Sequence, residues 1–361
     1  LFYSIVLSGF VLLSAHAQDL RDVMGVTHVD GKYFLTHKDF LNEGADQVLA
    51  TGSRVLKLYL VPSRYRWNSD WPSDLKSLTE VAQTPYFRAV FAKPFKTIIL
   101  TTYSIGRDDH YWTTGVTPEQ EADETRQFHD LTKHLLTAYK GSGKTFVLQH
   151  WEGDWALRNI DNHTYDEKFT PPQSSIDGMI KWLNARQAGI VQARTEVPDA
   201  DVHVYGATEA NRVMDAIAGK PSVALSVLPH TTVDLVSYSS WDSQEDVETL
   251  SKAVDFLSSH LPPTAAFGQN PHSVYIGEFG APENGRGAEV VNKHIDNVLS
   301  VVRSKQIPWA IYWEIYCNEL KKDAPPPPVN GKNDAVLGFW MIKPDGTHGA
   351  AWERYHELFT K

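Results

Sequence analysis

The sequence predicts an α/β fold, a single-domain closed parallel (β/α)8 TIM barrel. Two observations lead there. Strand-like apolar runs alternate with amphipathic helical stretches along most of the chain, and eight such runs can be counted. No linker divides them, and no glycine-rich turn follows an early run as a dinucleotide-binding sheet requires, so a doubly wound open sheet is the runner-up.

In chain order, residues 1–17 ("LFYSIVLSGFVLLSAHA") are an apolar stretch closing on the small-x-small pattern Ala15-His16-Ala17, as expected of a cleaved secretory signal. The protein is therefore expected to be secreted, extracellular or periplasmic, with residues 18–361 as the barrel domain. "THVDGKYFLT" reads as a short β-like lead. The eight runs follow: "RVLKLYL" (54–60), "TIILTTY" (97–103), "TFVLQHW" (145–151), "DVHVYGA" (201–207), "SVALSV" (222–227), "VDLVSYS" (233–239), "SVYIGEFG" (273–280) and "WAIYWEIY" (309–316). Only "LPHTT" separates the fifth run from the sixth, too short for a helical crossover. Either that helix is missing or the fifth run belongs to a helix.

"GSGKT" (141–145) imitates the end of a phosphate-binding loop, but the first glycine position is Ala138 and the order of elements is reversed. A helix capped by Thr117 with Pro118 in its first turn precedes it, and a strand follows. Gly141 and Gly143 read instead as a turn that stops a helix and launches a strand.

A net charge of −10 and a pI near 5.8 argue against nucleic acid or an anionic membrane as partner. A monomer is expected. The single cysteine, Cys317, excludes an intramolecular disulfide and reads as a buried filler. Asn162-His163-Thr164 is an N-glycosylation sequon. Eleven tryptophans and fifteen tyrosines suit a ligand with flat apolar faces, such as a sugar.

In barrels of this kind the reacting groups come from the C-terminal ends of the strands. Those ends carry Asp108, Asp109 and Trp112; Glu152, Asp154 and Trp155; Glu209 and Asn211; Tyr238, Trp241 and Asp242; Glu278; and Trp313, Glu314, Asn318 and Glu319. Glu278 ends a strongly apolar run, where a carboxylate is costly unless partners or water compensate it, and the flanking Gly277 and Gly280 leave room for a ligand. A strand-end clamp to an arginine is the structural alternative. Glu209 has a similar setting, with a first-turn helix acid as its alternative. As a pair they match glycosidic hydrolysis, which needs one protonated and one ionised carboxyl group.

The chain resembles the retaining (β/α)8-barrel glycoside hydrolases of clan A on "IGEFG" and on the position of Glu209. The resemblance implies an acid/base Glu after the fourth strand, here Glu209, and a nucleophile at the end of the seventh, here Glu278. It further implies that Tyr238 hydrogen-bonds the nucleophile and that Trp313 is a sugar platform. Many members carry Asn-Glu-Pro at the acid/base, where this chain has Thr208-Glu209-Ala210, so Thr208 or Asn211 would replace the asparagine. His150, Trp151, Glu152, Trp155, Asn211, Tyr238, Trp241 and Trp313 are the expected substrate-binding residues, with Glu152 the reserve acid/base. In the eighth run (309–316) the alternation leaves two registers, of which the Trp313 set is expected to face the site rather than the Glu314 set. The expected function is hydrolysis of a β-linked poly- or oligosaccharide, with a carbohydrate as partner and no metal or organic cofactor. The alternatives are a non-catalytic carbohydrate-binding barrel and a lyase or isomerase built around a divalent metal.

Overall fold

The computed structural model describes residues 19–158 and 168–360. The expected signal segment and the sequon at Asn162 lie outside the described residues.

Eight parallel strands close into a barrel in chain order: β1 (Met24–His28), β2 (Val55–Tyr59), β3 (Thr97–Thr101), β4 (Thr145–Gln149), β5 (His203–Ala210), β6 (Leu235–Ser239), β7 (Val274–Phe279) and β8 (Ala310–Tyr312), with β8 paired back to β1. The expected (β/α)8 architecture is therefore the observed one. Two corrections apply to the count. The count omits the first barrel strand, Met24–His28, to which the lead at 27–36 contributes only Thr27 and His28. The signal of that strand is weak because Gly25 breaks the apolar pattern. A Cβ there would lie 2.6 Å from Ile311 and 2.7 Å from Val55, so the barrel closes only over a bare backbone at this position. The run at 222–227, in turn, is not a strand. Val223–Val227 forms a single helical turn, started by the Ser222 side chain accepting from the Leu225 amide at 3.3 Å.

The two errors cancel in the total but shift the numbering. "QHWEGDW" follows the fourth strand, and Glu209 lies within the fifth.

The helix Pro118–Ala138 begins with the capping box Thr117/Gln120 and Pro118 at its first position, and packs against the long helix Gln173–Glu196. After it, Gly141 and Gly143 turn with φ of 78° and 64°, and their amides bond the carbonyls of Ala200 and Asp201 before β4 begins. The imitation phosphate loop is thus a turn at the base of the barrel. Among the described residues no helix is long and apolar enough to cross a membrane.

Outward faces of the strands pack on the helices in one apolar core. Strand register places Lys57, Gln149, Glu209, Ser237 and Tyr275 together on the inner face, above an apolar plug that includes Val55 and Ile311. A polar layer at this depth must satisfy its own hydrogen bonds, and its bonding is the floor of the site.

Candidate active site

The floor is organised by Lys57, which sits mid-strand in an apolar stretch and is fully buried. Its ammonium donates to Glu278 Oε1 at 2.8 Å, to Glu209 Oε2 at 3.3 Å and to the Gly277 carbonyl at 3.2 Å, using all three of its protons. Burial alone would lower the lysine pKa, but the charges of Glu209 and Glu278 and their hydrogen bonds outweigh burial and raise it.

Glu209 has no exposed surface. Besides Lys57 it accepts from Gln149 Nε2, from the hydroxyls of Ser237 and Ser239 at 2.8 and 2.9 Å, and from the Glu152 amide at 3.1 Å. Burial pushes this carboxyl up, yet Lys57 and the hydrogen bonds together hold it below the usual carboxylate range. It is a saturated anion beneath the cleft. The placement after a fourth strand is corrected, and among the described residues Glu209 does not line the open cleft.

Glu278 reaches the same lysine from β7 because that strand is irregular. Ser237 pairs with Tyr275 and Ser239 with Glu278, so one extra residue is inserted and both Gly277 and Glu278 face inward. A Cβ on residue 277 would lie 1.8 Å from Ser237 Oγ, which is why the inserted residue is glycine. Glu278 Oε2 accepts from Trp241 Nε1 at 3.3 Å. Burial raises its pKa to about 7 against the pull of Lys57.

Glu152 stands above this floor on the turn after β4. Its backbone is left-handed, with φ 25° and ψ 67°, a conformation a non-glycine residue holds only when its surroundings impose it. Its amide is tied to Glu209 and its Oε2 accepts from Trp155 Nε1 at 2.7 Å. The neighbouring His150 fixes the turn: Nε2 accepts from the Glu209 amide at 3.1 Å and lies 2.8 Å from Thr208 Oγ1, while Nδ1 faces the Trp151 carbonyl at 3.2 Å. That pattern needs the neutral ring, and burial pushes the His150 pKa down to about 3. Burial first, then the charges of Glu278 and Glu209, push the Glu152 carboxyl well above its ordinary range.

An open cleft of about 320 Å³ lies over these groups, lined by Trp151, Glu152, Trp155, Asn211, Trp241, Glu278 and Trp313, together with Arg212, Asp242, Glu319 and Phe339. Its size is at the lower end of small-molecule sites. Six of the eight expected binding residues therefore meet in one cleft with Glu278. Trp313 faces it and Glu314 does not; the latter is buried, accepting from the Asn318 amide at 2.9 Å.

Two placements differ from expectation. Tyr238 points away from Glu278 and bonds Asp242 and Ser243, because strand alternation gives the inner face to Ser237 and Ser239. Lys57 and Trp241 make the contacts expected of it. His150 is only 2 % exposed and bonds Thr208 and neighbouring backbone rather than facing the open cleft. Asp154, also on the loop, commits both oxygens to the amides of Asn211, Arg212 and Val223. Sequence reading missed Lys57, Tyr59 and Phe339. The signal for Lys57 was present, a charge inside "VLKLYL", the same anomaly that marked Glu278.

No family model matches the sequence, and no curated protein matches it either. Solved structures do resemble the fold. A GH5-4 broad specificity endoglucanase from Clostridium acetobutylicum superposes with a TM-score of 0.54 at 11 % identity, over 95 % of this chain and 98 % of that one. An exo-beta-1,4-mannosidase from Opitutaceae bacterium strain TAV5 gives 0.55 at 13 % identity, over 94 % of this chain and 59 % of that one. A GH5-4 broad specificity endoglucanase from Ruminococcus champanellensis with bound cellotriose gives 0.50 at 12 % identity, over 95 % and 97 %. At these identities the likeness is one of barrel architecture.

Proposed function

We propose that this protein is a secreted retaining glycoside hydrolase acting on β-linked poly- or oligosaccharides, with Glu278 as nucleophile and Glu152, in place of Glu209, as acid/base. The observation that carries the reading is the contrast between two carboxyl groups of one aromatic-walled cleft: Glu278 is clamped by Lys57, whereas Glu152 has no cation within bonding distance among the described residues and is crowded by two other carboxylates. Environments that push paired carboxyls apart assign acid and base roles. The clan resemblance supports the same choice, since Glu152 follows the fourth strand and Glu278 ends the seventh. The fold neighbours include broad specificity endoglucanases, one with bound cellotriose, and an exo-beta-1,4-mannosidase, which makes β-linked glucans and mannans the first substrates to test.

In this mechanism the Glu278 carboxylate attacks the anomeric carbon and the glycosidic C–O bond breaks, with the Glu152 proton going to the leaving oxygen. The ionised Glu152 then takes a proton from water, whose oxygen displaces Glu278 and releases the sugar with its original anomeric configuration. The pH–rate profile should be bell-shaped, with an acidic limb set by Glu278 and a basic limb by Glu152.

Hydrolysis of a panel of β-glucans and β-mannans, followed by NMR of the first-formed anomer, tests this. Glu278→Gln and Glu152→Gln should each lose about 10³-fold or more in kcat on substrates with poor leaving groups. Inverted product, or full activity in Glu152→Gln, would overturn the assignment.

A further inference from the structure

Tyr59 ends β2 two residues beyond Lys57, so strand alternation gives it the same inner face as the lysine that holds Glu278. It is 7 % exposed and packs with Val29 and Trp313 in a small apolar cluster flanked by Trp151, Trp241 and Phe339, all of which except Val29 line the cleft. Its backbone amide bonds the Tyr65 hydroxyl at 2.8 Å, which fixes the end of the strand. Its own phenol is different. Tyr65, Tyr103 and Tyr275 each place the hydroxyl on a protein partner, whereas the Tyr59 hydroxyl has none among the described residues. Burial and then the nearby Glu278 carboxylate keep that phenol protonated, hence a donor. Although the residue is buried, its hydroxyl is not among the buried atoms left unpaired, so it remains open to solvent and free to donate to a ligand oxygen.

We infer that Tyr59 is a substrate-contacting residue whose hydroxyl donates to an oxygen of the sugar ring seated on Trp313, beside the bond to be cleaved. The inference rests on the function proposed above and adds a specificity contact to it. The site then grips the reacting sugar from three sides: an indole face from β8, a carboxylate from β7 and a phenol donor from β2. Arg64, with its guanidinium carbon 5.7 Å from the Tyr59 ring centroid, braces the ring from the loop side.

The test measures binding of cellotriose and mannotriose to Glu278→Gln protein, with and without Tyr59→Phe, beside kcat/KM for Tyr59→Phe alone. The phenylalanine keeps the ring and its packing and removes only the donor. Both Kd and kcat/KM should worsen by about 10- to 100-fold while Tm stays within about 1 °C. Values within twofold of the parent would overturn the inference, as would a loss that tracks a falling Tm. No binding by the Glu278→Gln parent, together with no hydrolysis by the wild type, would instead overturn the function reading for β-1,4-linked glucan and mannan.

Discussion

Lys57 decides the charge state of the floor, and the site's residues are best understood relative to it. Two buried carboxylates can share a barrel interior only because one ammonium lies within hydrogen-bond distance of both, and removing one member of such a group leaves an uncompensated buried charge. Lys57→Met should therefore destabilise the fold by about 3–5 kcal/mol in urea unfolding near neutral pH. At pH 5 the cost should be smaller, because Glu278 then takes up a proton. An equal cost at both values would mean that Lys57 is not balancing a titrating carboxylate. Cys317 shows the opposite case at this scale: burial pushes its thiol up to about 12, so it behaves as the apolar filler its solitary occurrence implied.

At the level of elements, the decisive features are two local departures from regular geometry. The left-handed turn at Glu152 lifts a carboxyl above the floor, and the irregularity in β7 turns Glu278 inward beside Gly277. The second makes a sharp prediction. Gly277→Ala places a methyl group against Ser237 Oγ and near Glu209 Oε2, so stability and kcat should both fall. Ser237→Ala removes the obstructing hydroxyl, and the double variant should be less impaired than the sum of the singles, with a coupling of about 0.5–3 kcal/mol. Strict additivity in a double-mutant cycle would show that the bulge, rather than this contact, carries the effect.

For the molecule as a whole, the buried carboxyls couple the site to folding. Glu278, held up to about 7 in the fold, keeps its proton where the unfolded chain, with an ordinary carboxyl near 4.5, has lost it. Between those values the native state binds more protons, so stability falls as pH rises through the window from about 4.5 to about 7. Glu209, shifted the other way, adds stability that is lost only as pH drops below the ordinary carboxylate range. Tm should thus be higher at pH 5 than at pH 8, and Glu278→Gln should narrow the gap by raising the pH 8 value. An unchanged gap would show that Glu278 does not titrate in that interval.

What the sequence by itself determined is the architecture and the approximate rim. Period-two apolar runs and amphipathic helices are local signals, so alternation along the chain was sufficient for a closed barrel, and loops after strands were sufficient to gather Trp151, Glu152, Trp155, Asn211, Trp241, Glu278 and Trp313 at one mouth. Tertiary structure alone decided which carboxyl faces the cleft. A glycine-broken strand at 24–28 and a helical turn at 223–227 exchanged places in the count, and only barrel closure through β1 and β8 shows that Glu209 belongs to the fifth strand. The depth of Glu209, the tie from Lys57 to two strands far away in sequence and the parity change at Gly277 are all set by contacts across the barrel. No local pattern encodes them, because each depends on which residue of another strand arrives at the same height.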